Sequence, residues 1–169
     1  MSKVQVLTNK NEITSLNKFY NLAKLLLMLT PFISFIYLTM EATSIGISMQ
    51  ELIQQDSNFT ILFLVSVINP FIAYLLVFIQ KKIEDNDVSY AITNLVMFMI
   101  AEVLLQNTLY IILFGVILYK TSKVYNISVK DSFKEKLKDK FLMNISGSLV
   151  VIGLACICLF ATIRINMWI

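Results

Sequence analysis

One acidic residue stands deep inside a long apolar run: Glu102, within residues 88–119. Asn94 precedes it by eight positions and Gln106 follows by four. On a continuous helix those spacings put all three side chains on one face. A carboxyl group in hydrocarbon is costly, and its usual uses are an ion path, a proton relay or a buried pairing. The run contains no Lys or Arg at that depth. Glu102 is therefore expected as the neutral acid, bonded to an amide such as Asn69, or paired with a group from another chain. If the run instead turns near Gln106 and Asn107, then Glu102, Gln106 and Asn107 fall at the outer water interface and need no partner. Glu102, Gln106, Asn94 and Asn69 together form the candidate intramembrane polar site.

Asn69 is followed by Pro70, and Thr30 by Pro31. A proline inside a helix frees a carbonyl one turn back and kinks the axis. Broken helices of this kind form binding sites in transporters, although proline is also common in ordinary membrane helices.

Other chemistry is absent. The chain has no His, and its two cysteines, Cys156 and Cys158, lie two residues apart in an apolar run. On a helix they point to different faces and cannot bridge each other. There is no phosphate-binding glycine loop, no nucleophile elbow, no HExxH and no CxxC. Without those groups, a catalytic metal site or hydrolytic centre has nothing to build from. No cofactor is expected, and the chain does not read as an enzyme.

A second cluster could serve binding. Phe133, Leu137 and Phe141 repeat every four residues, as do Lys130, Lys134 and Lys138. This is a helix over about 128–141 with one narrow apolar stripe. Such a helix lies on a membrane surface or docks in a partner's groove. Ser128 and Asp131 are placed to cap its start.

The elements that must position these groups follow from composition. Hydrophobic residues make up 57% of the 169 and charged residues only 15%, with a mean hydropathy of +0.75. A globule of this size cannot hide so much apolar surface. The apolar residues fall in blocks at about 19–40, 59–79, 88–119 and 145–163. A crossing needs roughly 20 residues, so the bilayer is the solvent for these blocks. The class is an all-α, polytopic membrane protein. We expect four transmembrane helices, or five elements if 88–119 is a hairpin, plus the amphipathic helix. Residues 1–169 read as a single helical membrane domain, with 1–18 a polar cytosolic segment and 120–143 a Lys-rich connector. Ser48 and Glu51 predict a capping box for a short helix within 41–58.

The net charge of +3 is too weak and too scattered for nucleic acid. Basic residues instead orient membrane helices by favouring the cytoplasmic side. With four crossings the 14 basic residues divide seven and seven, which decides nothing. With a hairpin near residue 106 they divide 13 to 1. Against the hairpin stand its unequal halves and the absence of Gly or Pro at the turn, and these favour one long helix. Either way the loop 41–58, with three acids and no base, is expected outside a cell membrane and the amino terminus inside.

The function expected is non-catalytic: an accessory or regulatory subunit of a membrane complex, or a small protective protein of the immunity type. A bacterial source fits the richness in Ile, Lys and Asn. The alternative is a small homo-oligomeric transporter or channel that uses Glu102. The partners expected are the lipid bilayer and either another protein or further copies of this chain.

Overall fold

In the computed structural model, residues 3–138 and 141–167 are described, with backbone alone at 3–10, 137–138, 141–142 and 166. Seven helices make up the described chain. They are α1 (Lys3–Ser44), α2 (Met49–Gln55), α3 (Ser57–Glu84), α4 (Val88–Leu104), α5 (Thr108–Tyr125), α6 (Val129–Lys138) and α7 (Phe141–Asn166). The fold is all-helical, and α1, α3, α5 and α7 each contain an apolar stretch long enough to cross a membrane.

The outer surface confirms which solvent these helices face. Phe32, Ile112, Ile157 and Phe160 are each more than 60% exposed, on three different helices. A water-soluble monomer does not display so much apolar surface, whereas hydrocarbon covers it at no cost.

The 88–119 block is a hairpin, not the single long helix that the missing Gly and Pro favour. The chain turns at Gln106, whose φ is +58°. The Gln106 N–H donates to the Val103 carbonyl at 3.1 Å and the Asn107 N–H to the Glu102 carbonyl at 3.0 Å. This is a Schellman turn with glutamine in the left-handed position that glycine usually takes. The same device ends α1 at Gly46 (φ +75°) and α3 at Asn86 (φ +64°). The objection from length also dissolves. The second arm does not stop at Tyr119 but runs on to Tyr125, so α4 and α5 have 17 and 18 residues. The Lys120 head of that last stretch lies 4.5 Å from the centre of the Phe19 ring of α1.

The hairpin sorts the charge. Lys24 of α1 donates to the Gln80 Oε1 of α3 at 2.7 Å, Lys120 of α5 reaches Ser15 Oγ of α1 at 3.5 Å, and Lys136 of α6 reaches Asp87. These contacts gather the lysine-bearing segments at one end of the bundle. The α1–α2–α3 connections and the α4–α5 turn lie at the other end, where Asn58 and Gln106 line one cavity.

Two hydroxyl pairs set the register of α1 against α5. Tyr20 and Thr121 are hydrogen-bonded at 3.1 Å near the lysine end, and Thr30 and Tyr110 near the opposite end. The pairs are ten residues apart on α1, about 15 Å at 1.5 Å per residue. Helix α4 is the most enclosed element, with Ala91, Ile92, Thr93, Asn94 and Leu95 buried in succession. It packs against α3, α5, α6 and α7. On α7 the buried face carries Ser148, Ala155 and Cys158, while Cys156 is exposed. The small residues Ala101, Thr108 and Gly115, though spaced by seven, share no helix face, because the turn separates Ala101 from the other two and Thr108 is exposed.

Candidate functional site

The four polar residues singled out in the sequence do not form one site. Asn94 belongs to a sealed network near the lysine end. Its Nδ2 donates to the Tyr90 carbonyl at 2.9 Å and to the Asn144 carbonyl of α7 at 3.1 Å. Its Oδ1 accepts from the Ser148 hydroxyl at 2.5 Å. Every strong capacity of that amide is used, and the result is a polar rivet between α4 and α7. Gln106 is exposed on the turn. The shared helix face expected for Asn94, Glu102 and Gln106 is lost, because the left-handed residue interrupts the helix just beyond Glu102.

Glu102 and Asn69 are different. Both are fully buried, and neither carboxyl oxygen of Glu102 nor either amide atom of Asn69 has a hydrogen-bond partner. The pairing of Glu102 with Asn69 anticipated from the sequence is therefore not made. Glu102 occupies the last turn of α4, near the end of the bundle, yet it is not the water-exposed residue that a simple outer turn implies. It lies within electrostatic range of Tyr110. Leaving such groups unsatisfied costs about 1–3 kcal/mol each. The fold thus leaves polar capacity unused at two buried positions.

Asn69 lines a cavity of about 350 Å³ between α1, α3 and the α4–α5 turn. Thr30, Ser34, Asn58, Ser66, Gln106 and Asn107 supply the rest of its polar lining. Pro70 contributes indirectly. It has no N–H to give to the Ser66 carbonyl one turn back, so that acceptor loses its helical donor beside the cavity. A second, more apolar cavity of about 490 Å³ adjoins the first and is lined by Ile33, Tyr37 and Phe59. Ser34, Asn58 and Leu62 are common to both.

Below these cavities the interior is apolar. Leu27 on α1, Ile72 and Leu76 on α3, Leu95 and Phe98 on α4 and Phe114 on α5 are each no more than 1% exposed. The rings of Phe98 and Phe114 lie 5.9 Å apart between centroids. On every helix these residues fall between the polar groups of one end and those of the other.

The chain matches no known protein family, no curated protein and no solved structure.

The lysine end holds what the sequence left unnoticed. Asp87 caps α4 by accepting from the Tyr90 N–H at 3.0 Å, and its other role is an ion pair with Lys136 at 2.8 Å. Ser89 donates to Glu135 at 2.5 Å. Helix α6 is thus docked on its own bundle through Ser132 and Lys136, both buried. Phe133 is only half-buried, and Lys130 and Lys134 are exposed. Phe141 belongs to α7 rather than to the same helix, and the side chains of Leu137 and Phe141 lie outside the described residues. Asp87 sits three positions before Tyr90, right after a left-handed Asn86, which is the local signal of a cap. Nothing local pairs it with Lys136. Among the described residues no cluster of His, Cys, Asp and Glu could hold a metal ion.

Proposed function

We propose that this chain is a non-catalytic protein of the cell membrane, acting as an accessory or regulatory subunit or as a protective protein of the immunity type. One observation carries the reading. The polar cavity at the α4–α5 turn end stops at a packed apolar layer, Leu27, Ile72, Leu76, Phe98 and Phe114. Beyond that layer the Asn94 network is closed on itself. A polar pocket with a packed apolar layer beneath it suits reception of a binding partner better than conduction. The lysine end faces the cytoplasm on this reading, because 13 of the 14 basic residues then lie inside. The cavity accordingly opens on the outer side.

The transporter reading keeps one specific support, the unpartnered side chains of Glu102 and of Asn69, the latter next to Pro70 inside α3. The two are separated by flux and by composition. Purified chain in sealed vesicles is expected to move protons and potassium no faster than empty vesicles do. Solubilised from its native membrane in mild detergent, it is expected to carry a second polypeptide in fixed ratio. A proton flux that Glu102→Gln abolishes, from a preparation containing only this chain, overturns the proposal in favour of transport.

A further inference from the structure

Two cavities that share Ser34, Asn58 and Leu62 differ in chemistry. The first mixes hydroxyls and amides with Ile61, Val65 and Leu105, and the second adds Ile33, Tyr37 and Phe59 to the shared residues. Each is of a size that holds a small ligand. Ile33 and Tyr37 are 61% and 49% exposed, so the apolar cavity opens sideways, towards the hydrocarbon that covers the bundle. The tilted rings of Tyr37 and Phe59, 6.5 Å between centroids, pack together to form part of its wall. The polar cavity contains no charged side chain at all. What it does contain is Asn69, completely buried with two donors and one acceptor unused.

We propose that the joined cavities bind one amphiphile with an uncharged, hydroxyl-bearing head, of the monoacylglycerol or glycosyl-lipid class. The head hydroxyls occupy the cavity of Thr30, Ser66 and Asn69, and the acyl chain leaves over the exposed Ile33 and Tyr37. Three observations select this occupant. The lateral opening admits a chain from the bilayer without passage through water. The unpaired amide demands a ligand that both gives and takes hydrogen bonds, which hydroxyl groups do. A phosphate head would leave bulk water for a pocket with no cation to meet it. A cationic head would find no carboxylate in the cavity wall, since Glu102 does not line it. This site goes beyond the reading given above and does not rest on it, because an accessory subunit and a transporter can each hold a lipid.

The test uses three photoreactive probes with the same diazirine-bearing acyl chain, one a monoacylglycerol, one a lysophosphatidic acid and one an alkylammonium. Each is incorporated with the purified full-length chain in neutral phosphatidylcholine vesicles. The monoacylglycerol is expected to label peptides spanning 33–37 and 59–62, with excess unlabelled monoacylglycerol competing the signal away. Asn69→Leu removes unsatisfied atoms and so folds, as circular dichroism and gel filtration will verify. It is expected to cut that labelling at least fivefold. Leu62→Trp, which fills the joint of the two cavities, is expected to do the same, while Ile112→Trp on the far lipid face leaves it unchanged. Uniform labelling of every lipid-facing helix, stronger labelling by either charged probe, or full labelling of Asn69→Leu would each overturn the proposal.

Discussion

The Nζ of Lys136 lies 2.8 Å from the Oδ1 of Asp87, and this one ion pair fastens α6 to the start of α4. The lysine side chain is 8% exposed and the aspartate 29%. Asp87 has a second duty as the cap of α4, so its loss removes two interactions and strands a buried ammonium.

The expected order of damage is accordingly Asp87→Ala, then Asp87→Asn, then Lys136→Met. Loss of a cap costs about 1 kcal/mol, and an unpaired buried charge adds to that. Lys136→Met keeps the aliphatic packing and leaves an aspartate that water reaches in part. Unfolding midpoints in a graded mixture of mild and denaturing detergent measure the order. Equal midpoints for Asp87→Ala and Lys136→Met would show that the pair contributes nothing beyond the cap.

Asn94 and Asn69 are buried amides with opposite prospects. Asn94→Leu breaks three hydrogen bonds between or within α4 and α7 and is expected to lower stability by about 1–3 kcal/mol, with Ser148→Ala costing about 1 kcal/mol. Asn69→Leu breaks none and is expected to leave the midpoint unchanged or raise it. A Leu at 69 as harmful as a Leu at 94 would mean that Asn69 is satisfied in the assembled protein.

Gln106 stands in a left-handed conformation that costs a residue with a Cβ about 1 kcal/mol. Gln106→Gly is expected to raise the thermal midpoint. Gln106→Val, β-branched at positive φ, is expected to lower it and to loosen the hairpin. Midpoints that do not separate the two variants would argue against the turn.

Sidedness is testable with cysteines in a background where Cys156 and Cys158 are replaced by Ala. A cysteine at Ser44 is expected to react with an impermeant maleimide in intact cells, and cysteines at Lys130 and Lys134 only after lysis. All of these positions are exposed, so protection reports the membrane and not burial. Labelling of the 130 and 134 positions from outside would remove the hairpin and restore a single long helix.

Glu51 gives a pH prediction in the connection between α1 and α3. Its carboxylate accepts from the Ser48 backbone N–H at 2.8 Å, and the Ser48 hydroxyl accepts from the Glu51 N–H at 3.2 Å. The bonds to Ser48 hold the carboxyl below its ordinary range. A folded-state value below the unfolded one means the box strengthens α2 above the ordinary glutamate range and is lost as pH falls through the lowered value. The Glu51 carboxyl resonance should therefore titrate at lower pH in the native chain than in Ser48→Ala, where one of the bonds is missing. Coincident titrations would show that the box does not persist in solution.

Much of this molecule is written locally. The apolar blocks, the capping box at Ser48 and Glu51, the separate faces of Cys156 and Cys158 and the existence of α6 all follow from interactions spanning a few residues, which neighbours in sequence settle alone. The α4–α5 turn is written only faintly. Both arms are apolar nearly all round, so no change of helical phase marks the break, and Gln106 is not a residue that seeks positive φ. The hint lay in charge, since only a hairpin brings the lysines to one end. The tertiary structure decided what local spacing could not. Asn94 found its partners on α7, some fifty residues away, while Asn69 and Glu102 found none. Lys136, one of seven lysines in its segment, became the buried one because α6 packs that face onto α4. A polar side chain in an apolar run announces a cost. Whether the cost is met within the chain or left for a ligand depends on which helix is packed across from it, and only the fold supplies that neighbour.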